Sequence, residues 1–350
     1  MAIVTIIGAG AMGSALTVPL AANGHQVRLW GTELDGEIIE KVRKGQQHPK
    51  HKQYLPSEVL TFKVDELAQA VTGTELIIMA ITSEALGEIF KRVVSYIRKG
   101  MIIGSVSKGF AYDVDKRIII LPEVLKNLLP PDLQSEVKIV VVGGPCKAGE
   151  LLWRAPTAVT YASKDIEAAR YMHKLLVTNE YRVEVTTDVV GTEICAALKN
   201  AYAVGLGMAE GFRQREGLSY NNTKSALFTY AIKEMAMFSL AMGGTVEPVY
   251  GLPGVGDLEV TGEAGRNRVL GEIIGKGLTV KQAIAKMQTE QITVEGYSAI
   301  RLGYHLAKQL AANQKLALNN IPLLAGLYGI LYEEAEPLET IRNVIREYTS

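Results

Sequence analysis

Cysteine is scarce in this chain of 350 residues: there are two, Cys146 and Cys195. They lie far apart, so no disulfide framework exists to staple a small fold, and the usage fits a reducing compartment. Net charge is missing as well. Lysine plus arginine and aspartate plus glutamate number 37 each, so no global field draws the chain to nucleic acid or to an acidic membrane. An anionic ligand has to be met by a few locally placed cations. The five histidines form no metal-ligand spacing. His48 and His51 are three apart, but Pro49 lies between them and no cysteine is near, so no metal is expected. Residues 1–27 contain no Lys, Arg, Asp or Glu. No basic segment precedes their apolar run, and Gly8, Gly10 and Gly13 interrupt it, which argues against a signal peptide. No other stretch reaches about 18 uninterrupted apolar residues, so no membrane span is expected. Internal repeats and low-complexity tracts are also lacking. The expectation from these absences is a cytoplasmic protein that binds neither nucleic acid nor membrane.

What is present describes an ordinary folded chain, 48% hydrophobic and 21% charged, long enough for two domains with separate cores. "AIVTII" is short, β-branched and continuously apolar, the pattern of a fully buried strand. A helix follows to about Asn23, closed by Gly24. "QVRLW", "ELIIMAI", "GMIIGSVS", "VKIVVVGG", "PTAVTYAS" and "RVEVTT" read as further strands. Residues 82–98 carry Ala85, Leu86, Ile89, Phe90, Val93, Val94 and Ile97 on one helical stripe. Strand and helix alternate to about residue 187, which predicts a largely parallel sheet with helices on both faces. Beyond Asp188 only helical patterns remain, among them a capping box in "TVKQ" at 279–282. The expected organisation is an α/β dinucleotide-binding domain over 1–188 and an all-α substrate-binding domain over 189–350.

Gly8-Ala9-Gly10-Ala11-Met12-Gly13 matches G-x-G-x-x-G directly after a strand and at the start of a helix. The first glycine permits the tight turn, the second lets backbone approach a pyrophosphate, and the third lets helix and strand pack closely. Backbone N–H groups and the helix dipole then hold the anion. At the end of the second strand come Trp30, Gly31, Thr32 and then Glu33. An acidic residue about 20 positions on takes the ribose of NAD. No basic residue follows at once to hold a 2′-phosphate, so the reading leans to NAD with NADP open.

Lys199 is the only charged side chain between Glu193 and Glu210, in "EICAALKNAYAVG". A helix apolar all round is normally buried, and a buried ammonium is costly without a partner or a purpose. "GLPGVGDLEVTGEAGRNR" at 251–268 places five glycines around Asp257, Thr261, Arg266 and Asn267. An amphipathic run follows, so Asn267 is expected at the N-cap, with Arg266 beside it to meet one phosphate ester. Lys108 in "SVSKGF" and the turn Gly144-Pro145 before Cys146 both follow strands, at the sheet edge where ligands bind. Cys146 reads more readily as a small apolar filler than as a reactive thiol.

Taken in order, "GAGAMG", "SVSKG", "GGP" with "PTAV", "ALKNAYAVG", "GDLEVTGEAGRNR" and "VEGYSA" make the chain resemble NAD(P)-dependent glycerol-3-phosphate dehydrogenases over nearly its whole length. The resemblance implies a Rossmann-like domain followed by a helical one, and assembly as a homodimer. It implies that Lys199 is the catalytic acid/base, beside Asn200 and Asp257. It implies that Lys108, Gly144, Cys146, Asn200, Thr261, Arg266 and Asn267 meet a small phosphorylated substrate, with Arg266 and Asn267 at the phosphate. Cofactor contacts are implied at Gly8, Gly10, Ala11, Met12, Gly13, Lys108, Ala148, Arg266 and Glu295. The implied reaction is reversible reduction of dihydroxyacetone phosphate to sn-glycerol 3-phosphate. One departure stands out: Cys146-Lys147 replaces the family's usual Ser or Asn followed by an apolar residue, so another phosphorylated or acidic ketone is a second expectation. A non-catalytic dinucleotide-binding regulator would be expected to lack the lysine, aspartate or arginine, and all three are present.

Overall fold

The computed structural model describes residues 1–290 and 292–349. The chain forms two compact units, one of residues 1–108 and 120–189, the other of residues 109–119 and 190–350. Among the described residues there are ten strands: β1 (Ile3–Ile7), β2 (Gln26–Trp30), β3 (Leu60–Phe62), β4 (Leu76–Met79), β5 (Ile102–Ser105), β6 (Phe110–Tyr112), β7 (Ile118–Ile120), β8 (Lys138–Gly143), β9 (Thr157–Ala162) and β10 (Tyr181–Thr186). Strands β6 and β7 pair only with each other.

In the first unit the remaining strands form one sheet in the order β10-β9-β8-β5-β4-β1-β2-β3. Every pairing is parallel except β8 with β9. The central strands are largely apolar because helices cover both faces: Ile6, Ile7, Leu76, Ile77, Ile78 and Met79 have no exposed surface, and the one polar side chain of β1, Thr5, is buried with its hydroxyl donating to Ala70 O (2.7 Å). Strand order reverses between β1 and β4, where chains leaving neighbouring strands turn to opposite faces. In an open α/β sheet that reversal creates the ligand crevice. The helix expected over 82–98 runs over Ser83–Val94. Its stripe continues through Ile97, which is buried but reached through a turn. Strand β3 is three residues long and half-exposed, too short to give a period in sequence.

Among the described residues the second unit is helical apart from its short β-ribbon. Its longest helix, Val189–Glu216, carries the apolar run containing Lys199. Glu234, on the helix Asn221–Ala241, has no exposed surface. It accepts hydrogen bonds from Tyr202 Oη (2.8 Å), Leu323 N (2.6 Å), Leu324 N (3.0 Å) and Tyr348 Oη (2.7 Å). One carboxylate thus caps the helix Pro322–Tyr332 and ties it to three others. Burial pushes its carboxyl up to about 7 against the pull of those four donors. Among the described residues no helix is long and apolar enough to cross a membrane.

Candidate active site

The glycine loop lies between β1 and the helix Ala11–Ala22, and its three glycines have different jobs. Gly8 adopts φ +103°, and a Cβ there would sit 2.6 Å from the Ala80 carbonyl oxygen, just past β4. A Cβ on Gly13 would sit 1.9 Å from the Gly8 carbonyl oxygen. Both glycines are demanded by the fold. Gly10 has φ −63° and ψ −173°, open to any residue, and a Cβ there would meet no protein atom within 4 Å. Neither strain nor packing asks for glycine at that point. An approaching ligand does, which is the fit test that a dinucleotide pyrophosphate passes.

The loop's donors are sorted accordingly. Gly8 N donates to Trp30 O (2.8 Å), and Ala9 N donates to Asp35 Oδ2 (3.2 Å). The N–H groups that open the helix have no intrahelical acceptor, no side-chain cap and no acidic residue in the first turn. They are left for an anion. The reverse side of the loop is braced by residues outside the motif. His51 Nε2–H donates to Ala11 O (3.2 Å), and the buried ring of His48 lies 4.7 Å from that of His51. Burial, helped by the neighbouring His51, holds His48 down at about 4, and burial also lowers His51, so both rings are neutral at neutral pH.

Along the same sheet edge, Lys108 Nζ donates to Gly144 O (3.3 Å). Gly144 takes φ +116° as it turns out of β8. Cys146, Ala148 and Met12 are partly buried and each packs against the apolar core of the first unit. The sulfur is partly buried there, and neither Cys146 nor Cys195 is in a disulfide. Lys147, the unusual cation, is exposed and pairs with Glu150 at 3.5 Å.

In the second unit the structure explains Lys199. Its side chain is 9% exposed, and its ammonium donates to Asp257 Oδ1 and to Thr261 Oγ1 (3.0 Å). The Thr261 hydroxyl donates in turn to the Asp257 carbonyl (2.6 Å). Asp257 and Thr261 stand one turn apart on the helix Asp257–Glu263, so one face supplies both partners. That helix can lie close because Gly262 faces Leu206 of the lysine helix.

Beside Lys199, Asn200 opens a second network. Asn267 Nδ2 donates to Asn200 Oδ1 (2.9 Å), and Gly296 N donates to Asn267 Oδ1 (2.8 Å). Asn200 Nδ2 and Arg266 Nη2 each reach the Glu295 carboxylate at 3.4 Å. The helix Arg266–Gly275 is pressed backbone to backbone on the lysine helix. A Cβ on Gly271 would sit 1.8 Å from the Val204 carbonyl oxygen. Asn267 is not the N-cap expected from sequence. Gly265 caps without a side-chain bond, and Asn267 lies in the first turn. The reason is that its amide is spent elsewhere, on Asn200 and on the first turn of the helix Glu295–Ala312. Arg266, the first residue of its helix, is 55% exposed even with Glu295 beside it.

The expected residues therefore fall into two groups. Gly8, Gly10, Ala11, Met12, Gly13, Lys108, Gly144, Cys146 and Ala148 belong to the first unit, and Lys199, Asn200, Asp257, Thr261, Arg266, Asn267 and Glu295 come together in the second. Sequence reasoning missed Asp35, His48 and His51 behind the glycine loop. The "HPKH" pair was visible, but only a fold shows it touching Ala11. Among the described residues no group of three or more His, Cys, Asp or Glu is placed to hold a metal ion.

Comparison with known proteins agrees with this architecture. Residues 3–169 match the family model for the NAD-dependent glycerol-3-phosphate dehydrogenase N-terminus, and residues 188–342 match that for its C-terminus. An NADP(+)-dependent glycerol-3-phosphate dehydrogenase of Archaeoglobus fulgidus is 36% identical, over 95% of each chain. A glycerol-3-phosphate dehydrogenase [NAD(P)+] of Bacillus pumilus is 34% identical over 94% of this chain and 90% of its own. A crystal structure of glycerol-3-phosphate dehydrogenase from Coxiella burnetii superposes with a TM-score of 0.83 at 26% identity, over 98% of both chains. The chain belongs to the NAD-dependent glycerol-3-phosphate dehydrogenase family.

Proposed function

We propose that the protein interconverts dihydroxyacetone phosphate and sn-glycerol 3-phosphate, using NAD or NADP, with Lys199 as proton donor and acceptor. The observation that carries this reading is the buried Lys199 ammonium on Asp257 and Thr261, one residue from the amide network that reaches Arg266. When bound at the glycine loop, the dinucleotide supplies or accepts the hydride.

The chain's own residues do the rest. Hydride arriving at a carbonyl carbon leaves negative charge on the oxygen, so a donor must already stand where that charge develops. The Lys199 ammonium is that donor, and in the oxidative direction the neutral amine takes the proton back. Asp257 and Thr261 fix the amine in one position, so little reorganisation remains at the moment of transfer. Arg266 and the N-terminus of its helix hold the phosphate dianion. Asn200, Asn267 and Glu295 keep that terminus in register with the lysine. Lys108 and Gly144 stand at the sheet edge as further contacts for cofactor and substrate.

A homodimer in the cytoplasm completes the proposal. Exposed Leu240, beside Met237, Ala241, Leu316 and Ala317, supports self-association through the helical unit. Two cysteines outside any disulfide support a reducing compartment. Sedimentation tests the assembly. The activity is tested by initial rates of NADH and NADPH oxidation with dihydroxyacetone phosphate and with unphosphorylated dihydroxyacetone. Oxidation only with the phosphorylated ketone is the expected result. No oxidation with either would reject the proposal.

A further inference from the structure

The end of β2 holds a pair of charges that the glycine motif does not account for. Glu33 stands 20 positions past Gly13, where a Rossmann fold places its ribose-binding acid. The other acid of that loop, Asp35, is not free for a ribose. It is buried, and its Oδ2 accepts from Ala9 N (3.2 Å), Thr32 N (2.9 Å) and Thr32 Oγ1 (2.8 Å). Asp35 thereby pins the β2 loop to the glycine loop and leaves the Glu33 carboxylate, 62% exposed, at its rim.

A guanidinium meets Glu33 there. Arg92, from the helix Ser83–Val94, donates from Nη1 to Glu33 Oε1 at 2.9 Å. Its guanidinium carbon lies 5.0 Å from the ring centre of Trp30, the last residue of β2. Trp30 is fully buried, and its indole N–H donates to Val64 O (3.3 Å), so the aromatic platform under Arg92 is fixed. Stacking restricts the guanidinium to one plane and keeps its fork pointing along the rim. An isolated exposed ion pair contributes little to stability. Its place is the informative feature, since the adenosine 2′-position is the chemical difference between the two cofactors.

We propose that Glu33 and Arg92 form the cofactor-selecting pair, with Glu33 accepting from the 2′-hydroxyl of NAD and Arg92 holding the 2′-phosphate of NADP. This rests on the reading that the glycine loop binds a dinucleotide. A phosphate dianion near Glu33 is repelled unless Arg92 turns from the carboxylate to the phosphate, which it reaches by rotating its outer torsions over the same indole. The pair therefore admits both cofactors and sets their ratio by the balance of one carboxylate against one guanidinium. Asp35 and Trp30 position the pair without touching the ligand.

The test uses the full-length enzyme and the variants Arg92→Gln, Arg92→Lys and Glu33→Gln. Two readouts are taken: kcat/KM for NADPH and NADH with dihydroxyacetone phosphate, and calorimetric Kd for NADP+ and NAD+ without substrate. Loss of a charge-assisted, bidentate phosphate contact in Arg92→Gln lowers the NADPH:NADH ratio, in both readouts, by about tenfold or more. Arg92→Lys recovers part of that loss, because the point charge remains. Glu33→Gln moves the ratio the other way, toward NADPH. Dichroism and the melting midpoint establish that each variant is folded. Ratios within twofold of wild type in folded Arg92→Gln overturn the inference, as does an equal fall for both cofactors. A wild-type enzyme that binds dinucleotides but turns over no dihydroxyacetone phosphate sinks the proposed reaction alone, and the Kd ratio still decides the role of the pair. A wild-type enzyme that binds neither dinucleotide overturns both.

Discussion

Replacing Gly10 or Gly13 by alanine should separate the two tasks of the glycine loop. In Gly13→Ala the new methyl carbon falls 1.9 Å from the Gly8 carbonyl oxygen and 3.1 Å from the Ala80 Cβ. Backbone must move by more than 1 Å to relieve such an overlap, and overpacking of this kind costs about 1–3 kcal/mol or more. In Gly10→Ala the methyl meets no protein atom within 4 Å, and the backbone angles suit alanine. Losing glycine's freedom in the unfolded chain stabilises by about 0.4–1 kcal/mol, and alanine's weakness as an N-cap costs a similar amount. Ligand-free stability of Gly10→Ala should therefore stay within about 1 kcal/mol of wild type. The methyl does stand where the pyrophosphate approaches, so dinucleotide affinity should fall by about tenfold or more, equivalent to ~1.4 kcal/mol.

Thermal unfolding of wild type and both variants, with and without NADH, reads both effects. At a concentration 100 times the wild-type Kd, bound ligand stabilises by about 2.7 kcal/mol, and a tenfold weaker site retains about 1.4 kcal/mol at the same concentration. Gly10→Ala should keep its ligand-free midpoint and lose roughly half of the ligand-induced rise. Gly13→Ala should lose the midpoint itself. A Gly10→Ala protein that melts as early as Gly13→Ala, or keeps the whole NADH-induced rise, would refute the division of labour.

Further outcomes follow from buried groups elsewhere. Glu234→Ala leaves Tyr202, Tyr348 and two backbone N–H groups facing a hole; urea unfolding should show a loss of about 3–5 kcal/mol, and a loss below about 1 kcal/mol would show that this carboxylate does not organise its helices. His48, held near 4 by burial against an ordinary 6.5, takes its proton in the unfolded chain before the folded one. Its contribution is thus complete above pH 6.5 and lost as pH falls toward 4, by up to about 3 kcal/mol. Urea midpoints at pH 7.5 and 5 should fall less in His48→Asn than in wild type; equal falls would remove His48 from the acid sensitivity.

Much of this was legible in the sequence, for physical reasons that can be named. The strand, turn and helix around Gly8–Gly13 were readable because buried parallel strands are continuous apolar runs and glycine spacing reports close approach. Lys199 was readable because a lone ion in an apolar helix demands a partner, and the partners proved to be Asp257 and Thr261. Asn267 was placed at a cap because helix starts are read from local pattern, whereas its amide caps Gly296, 29 residues away. Arg92 lies 59 residues from Glu33, and neither periodicity nor spacing connects them. Contacts made by folding the sheet are the part that local pattern does not carry.

The proposed chemistry turns on one ammonium, and the most direct measurement is the turnover number of a folded Lys199→Met enzyme with dihydroxyacetone phosphate and NADH. Because Asp257 is 2% exposed, the same measurement is made in Lys199→Met/Asp257→Asn, where no uncompensated carboxylate is left buried. Both variants should lose at least about 100-fold in kcat, the lower range for removal of a general acid, while NADH still raises their melting midpoints. Turnover within a few-fold of wild type in either folded variant would contradict the assignment of Lys199 as the proton donor.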